Sequence, residues 1–380
     1  MYSRILDLRE VIKERSIFLF GPRQTGKSTL LKTVFPDARY IDLLEADTFR
    51  RLSARPEELR QSLLPGEKLV IIDEVQKLPS VLDEVQLLLD RNKDLHFILT
   101  GSSARKLKRG KANLLGGRAW FINLHPLVSA ELGFSRLKDR LNIGSLPGII
   151  DSADAREDLK AYVGCYLKEE IKAEGLTRSI ENFSRFLEVA ALSNGEQLNF
   201  ASVANDVGMP VRTLREYYKI LEDTLIGAEL PSYTKTVKRK AVSISKFFFF
   251  DLGVVNILLR RGAINEGSEL FAKALEHQVF LELKAYLDYC RSERDLRYWR
   301  SRSKVEVDFV VGDDVAIKVK ATGRSSAADR KGLLMLGEEL KLRRKIIICN
   351  ELRYRKDEFG VEVYPIDVFL QELWAGKIIE

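Results

Sequence analysis

Cysteine, histidine and methionine are scarce, at three each in 380 residues. Cys165, Cys290 and Cys349 lie far apart with no CxxC pair, and His96, His125 and His277 form no local cluster, which argues against a disulfide scaffold or a zinc site. Long hydrophobic runs are lacking as well. The run Phe247 to Phe250 ends in Asp251, far short of a membrane span, so no membrane partner is expected. The opening MYSRILDLREVIKERS alternates charged and apolar residues without the apolar core or cleavage site of a signal peptide, and the expected compartment is the cytoplasm. Charge of one sign does not dominate either: 62 Lys and Arg against 55 Asp and Glu give +7, which permits an anionic partner without requiring one. What is present is 45% hydrophobic and 31% charged residues, enough apolar surface for real cores and incompatible with wholesale disorder. The length favours two or three domains.

The apolar run Ile17 to Phe20 reads as a strand and is followed at once by Gly21, Pro22, Arg23, Gln24, Thr25, Gly26, Lys27 and Ser28, then by the helical pattern from Thr29. This is GxxxxGK[ST] in its strand-loop-helix setting: glycines let backbone N–H groups wrap phosphates, and the helix N-terminus favours negative charge. Lys27 would neutralise the β/γ-phosphates, and Ser28 would ligate Mg²⁺. A second apolar run, Leu69 to Ile72, ends in Asp73 and Glu74. Such a run suits a buried parallel strand, with Asp73 placed for the Mg²⁺ shell and Glu74 for polarising the attacking water. A third strand, His96 to Leu99, ends in Thr100-Gly101-Ser102-Ser103. Thr100 and Ser102 are candidates to sense the γ-phosphate, or else they only shape a turn. The basic stretch Arg105 to Arg118 is either a solvated loop or, through Arg118, a source of an arginine for the phosphate in cis or across a subunit boundary.

Strands alternating with helical patterns imply a parallel sheet with helices on both faces and ligands at the C-terminal strand ends. The segments GPRQTGKST, LVIIDEVQKLP, ILTGSSARKL and LGGR through HPLVSAEL resemble the AAA-superfamily ATPases of prokaryotes. More closely, they resemble those AAA ATPases that carry a C-terminal domain of unknown function with a nuclease-like core. The resemblance spans nearly the whole chain. It implies an α/β architecture: a P-loop AAA core over 1–135, a helical lid segment over 136–181, a winged helix over 182–262 and a restriction-endonuclease-like domain over 263–380. The implied cofactors are ATP and Mg²⁺, bound through Gly21 to Thr29 with Thr100 and Ser102 alongside.

In the middle, Ala155 to Lys172 carries apolar residues at helical spacing. Further on, Asn199 to Gly208 and Pro210 to Tyr218 give helix, glycine turn, helix, and the β-like segments Ala228 to Tyr233 and Lys246 to Phe250 flank a basic loop. One reading is DNA contact, with Arg212, Thr213 and Arg215 at the recognition helix and Lys238, Arg239 and Lys240 on phosphates. The other is a packing or regulatory module, which Glu216, Glu222 and Asp223 favour.

A helix from Leu270 to Tyr289 then precedes strand-like runs Leu296 to Trp299, Val305 to Val311 and Val315 to Lys320. The resemblance to a restriction-endonuclease core maps its helix Glu, strand Asp and Glu-x-Lys onto Glu276, Asp308 and Lys320, but Lys318 stands where the acid is expected. Residues two apart share a strand face, so Lys318 and Lys320 are expected to face Glu306 and Asp308 together. An ammonium in place of a carboxylate removes a metal ligand, and the expectation is an inactive nuclease-like fold unless Glu306 supplies the missing oxygen. Two functional hypotheses follow: an ATPase whose cycle drives the C-terminal domains, or a slow nucleotide switch whose useful activity is binding DNA or a protein partner. Homo-oligomers are compatible with either.

Overall fold

The computed structural model describes residues 2–102, 115–167, 180–237 and 241–379. The basic run Arg105 to Lys111 and the wing candidates Lys238, Arg239 and Lys240 lie outside the described residues, as does the end of the helix expected to reach Lys172. The chain divides into two compact units, one formed by Ser3–His125 with Asp223–Ile226, the other by Pro126–Glu222 with Gly227–Glu380.

The first unit is built on β1 (Ser16–Phe20), β2 (Arg39–Asp42), β3 (Leu69–Asp73), β4 (His96–Gly101) and β5 (Ala119–Asn123), all parallel in the order β2-β3-β4-β1-β5. The central strands read as unbroken apolar runs because both faces are covered. Phe18, Phe20, Val70, Ile72, Phe97 and Leu99 pack against Leu52, Leu59, Val81, Val85 and Leu88 of the flanking helices, while Ile17, Leu19, Ile71 and Ile98 on the opposite face are equally buried. This is the parallel α/β sheet expected of a P-loop domain. Because β4 lies between β1 and β3, the loops leaving these three strands meet along one C-terminal edge.

In the second unit, helices Ile180–Leu192, Phe200–Val207 and Val211–Asp223 precede a two-stranded antiparallel sheet of β6 (Gly227–Leu230) and β7 (Lys246–Phe249). Asn199 caps the second helix through the Ser202 amide, and Gly208, left-handed at φ 73°, ends it. An aromatic cluster of Phe183, Phe186, Tyr217, Tyr218 and Phe247 joins helices to sheet with ring centroids about 5 Å apart. β6 stops well before the expected Tyr233 because Pro231 has no N–H to continue the ladder.

Beyond this lies a six-stranded mixed sheet in the order β12-β13-β11-β10-β9-β8, comprising β8 (Leu296–Arg300), β9 (Glu306–Val311), β10 (Val315–Val319), β11 (Arg344–Cys349), β12 (Arg355–Lys356) and β13 (Val361–Pro365). Period-two alternation divides its apolar residues between two cores. Phe309, Val311, Ile317, Ile346 and Ile348 pack with the long helix Glu269–Tyr289, whereas Val310, Ala316, Ile347 and Val363 pack with helix Ala327–Gly337.

Candidate active site

The loop after β1 is set by its backbone. Gln24 and Gly26 adopt left-handed conformations, φ 62° and 88°, and Gly26 begins the helix Lys27–Val34. Gly21 is required by close approach: a Cβ there would sit 2.4 Å from the Leu124 carbonyl oxygen. Thr25, wholly buried, donates to the Pro22 carbonyl at 2.9 Å, and Arg4 clamps the loop from outside by donating to the carbonyls of Thr25 (2.7 Å) and His125 (2.6 Å). Lys27 is 7% exposed, and its ammonium donates to the carbonyls of Gly21 (2.6 Å) and Pro22 (3.0 Å). Loop, lysine and helix N-terminus thus form one anion-receptive cradle.

Asp73, at the end of β3 and 3% exposed, is the hub of the opposite wall. Its Oδ2 accepts from Ser28 Oγ at 2.7 Å and from the Tyr40 hydroxyl. Its Oδ1 accepts from Thr100 Oγ1 and, at 3.1 Å, from the Glu74 amide. The Ser28 hydroxyl beside a carboxylate oxygen is a hard oxygen pair of the kind Mg²⁺ selects, so these residues fit the metal. Glu74 follows in a left-handed conformation, φ 59° and ψ 42°, costly for a side-chain-bearing residue, which swings its carboxylate out of the strand direction. Burial raises the Glu74 pKa above the usual 4.5, opposed chiefly by the Lys27 charge. The Gln76 amide donates to the Glu74 carboxylate and lies 3.4 Å from Ser102 Oγ.

The structure therefore brings Lys27, Ser28, Asp73, Glu74, Thr100 and Ser102 to one edge of the first unit. Thr100 bonds Asp73 itself, so it orients the carboxylate. Gln76, inside the segment LVIIDEVQKLP, belongs to this site, and so do Tyr40 and Arg4, which carried no motif signal. Their contribution depends on strand neighbours and on a contact across more than a hundred residues.

Arg118 requires a correction. It directly precedes β5, whose first residue Ala119 pairs with Ser16, the first residue of β1, whereas the phosphate loop follows the last. A five-residue strand spans roughly 15 Å, which places Arg118 at the opposite end of the sheet from the loop. There its Nε donates to Asp90 Oδ1 at 2.7 Å, and a role on the phosphate in cis is ruled out.

In the second unit, Arg212 is 92% exposed with Glu216 as its nearest acid at 3.7 Å, Thr213 is half-buried, and the Arg215 guanidinium lies 4.2 Å over the Phe200 ring. Glu276 and Asp308 come together as expected, and Glu306 joins them, their carboxylates all within 4.8 Å of one another. Lys320 does not join them. The β9-β10 ladder ends at the Phe309/Ile317 pair, and beyond it Lys320 stays bonded to β11 through the Ile348 carbonyl, so its ammonium turns to Asp329 at 3.2 Å. The lysines at the carboxylates are Lys318, 2.6 Å from Asp308, and Lys246 of β7, 2.8 Å from Glu276 and 2.7 Å from Glu306.

Comparison with known proteins places these features among relatives of open function. Residues 13–133 match an AAA domain, residues 135–264 a domain of unknown function (DUF8612), and residues 271–369 another (DUF4143). Uncharacterized proteins of Mycobacterium bovis and Mycobacterium tuberculosis are each 26% identical over 376 residues, covering 96% of this chain and 82% of theirs. A chain from a structural study of DNA unwinding at forked duplexes by two coordinating Pif1 helicases matches with 16% identity. That match covers 42% of this chain and 52% of the helicase chain at a TM-score of 0.24, too low to bear on function. The AAA-domain match, over a parallel sheet with this loop at its C-terminal edge, supports a nucleotide-binding P-loop ATPase.

Proposed function

We propose that the chain binds ATP with Mg²⁺ and hydrolyses it, and that the nucleotide cycle controls DNA or protein binding by its C-terminal domains. The observation that carries this reading is the single cluster of Lys27, Ser28, Asp73 and Glu74. Backbone amides of the Gly21 to Thr29 loop hold the phosphates, and Lys27 exchanges its loop carbonyls for phosphate oxygens. Ser28 and Asp73 would hold Mg²⁺, which when bound would supply charge neutralisation for the transferred phosphoryl group. Glu74, its basicity raised by burial, accepts the proton of the attacking water, and Gln76 fixes the direction of that carboxylate. The winged-helix reading of residues 182–262 rests on the capped helix pair and the β6-β7 hairpin, with Arg212, Thr213 and Arg215 presented for phosphate or base contact.

A slow nucleotide switch is the second reading, favoured by the position of Arg118, which keeps that arginine from the phosphates in cis. Steady-state hydrolysis with and without duplex DNA separates the two. Turnover that DNA changes supports a driven cycle; tight nucleotide binding with negligible turnover supports the switch. A salt titration of duplex binding tests the DNA arm, which fails if the chain binds no DNA even at low salt.

A further inference from the structure

The three carboxylates of the second unit surround an ammonium group. Lys246 is 5% exposed and bridges Glu276 and Glu306, with the Tyr298 ring 5.3 Å from its Nζ. Its position follows from two periodicities. On β7, Lys246 shares a face with Phe248, and on the long helix Glu276 lies one turn from Phe280. Phe248 stacks on Phe280 at 4.3 Å, so seating the phenyl ring seats the lysine against the glutamate. Lys318 pairs with Asp308, whose second oxygen accepts the Val319 amide at 2.7 Å, and Arg300 donates to the far oxygen of Glu306 at 2.9 Å. Among the described residues three carboxylates thus meet three cations, and these balance in charge, leaving no excess to attract a dication.

We infer that Lys246 is an internal counter-ion occupying the place a divalent cation would take between Glu276, Glu306 and Asp308, and that it closes this cage to metal in the wild-type chain. The C-terminal unit is then a non-hydrolysing surface, whatever the fate of the ATPase reading, on which this inference does not rest. The cage itself is reachable, since Glu276 keeps 24% of its side chain exposed. What excludes the ion is the ammonium: a dication would have to enter beside a buried positive charge.

Mn²⁺ binding to the full-length chain, read by electron paramagnetic resonance and by thermal shift, tests this. Signal from other sites is removed by scoring only what Asp308→Asn abolishes. The wild type is expected to show no Asp308-dependent ion, and Lys246→Met to gain one, with affinity at least roughly tenfold above any wild-type binding and a matching Mn²⁺-dependent rise in melting temperature. If Lys246→Met folds only when Mn²⁺ is supplied, that too supports the inference. An Asp308-dependent ion in the wild type overturns it. So does a folded Lys246→Met chain without one or, should that variant stay unfolded with Mn²⁺, a folded Lys246→Gln chain that takes no ion.

Discussion

The two units each present a carboxylate cluster at a sheet, and the clusters are satisfied in opposite ways. Asp73 is held by neutral donors, the hydroxyls of Ser28, Tyr40 and Thr100 and one backbone amide, which leave its charge available to an incoming cation. Glu276, Glu306 and Asp308 are held by ammonium and guanidinium groups that cancel theirs. Hydroxyls can rotate to other partners or share an ion; a buried ammonium cannot leave without stranding its carboxylates. Similar acids are thus held by neutral donors in one unit and by cations in the other.

The largest effect that could break this contrast is at Glu74. Glu74→Gln is expected to lower ATP turnover by about 10²–10⁴-fold while nucleotide affinity is retained, and parental turnover would remove the base from the account. At the other cluster, Lys246→Ala takes the buried, bonded cation from Glu276 and leaves Glu306 with Arg300 alone, and a loss of about 3–5 kcal/mol in urea-unfolding stability is expected. A loss below about 1 kcal/mol would mean the lysine is dispensable and the cluster is not closed.

The pH profile sharpens the picture of Glu74. Its pKa is raised by burial, and catalysis needs the carboxylate, so activity is expected to fall as pH drops, with its acid limb above the ordinary 4.5. The Gln76 hydrogen bond pulls the pKa down, so Gln76→Ala is expected to move that limb to higher pH, and a shift to lower pH would contradict the geometry. Smaller still, Tyr40→Phe removes one neutral donor from Asp73 and is expected to change the Mg²⁺ concentration for half-maximal turnover on the order of fivefold, with saturated turnover preserved. Arg118→Ala is expected to leave turnover within about twofold, because the residue lies a strand length from the phosphate loop. A larger loss would mean that Arg118 serves a neighbouring subunit.

How much of this was legible in the sequence depended on how local the chemistry is. The phosphate loop is contiguous, so Gly21 to Ser28 and the strand before them carry their own signal, as do the acids closing β3; the parallel sheet follows from the same alternation. Arg118 and Lys320 misled because a residue's place relative to strand ends and ladder ends is topology, which spacing does not encode. Tyr40 and Lys246 stayed silent for a related reason. Each acts on a carboxylate 30 or more residues away, and each reads locally as an ordinary strand residue. The positive charge expected to betray a lost metal site at Lys318 was visible, whereas the ion that fills the cage comes from the hairpin before it.

The contrast between an open and a closed cluster is tested most directly by counting tightly bound Mn²⁺ per wild-type chain in the presence of a non-hydrolysable ATP analogue. One ion is expected, lost on removing nucleotide and lost in Ser28→Ala. A second ion that disappears in Asp308→Asn, or a single ion that survives Ser28→Ala, would contradict the account.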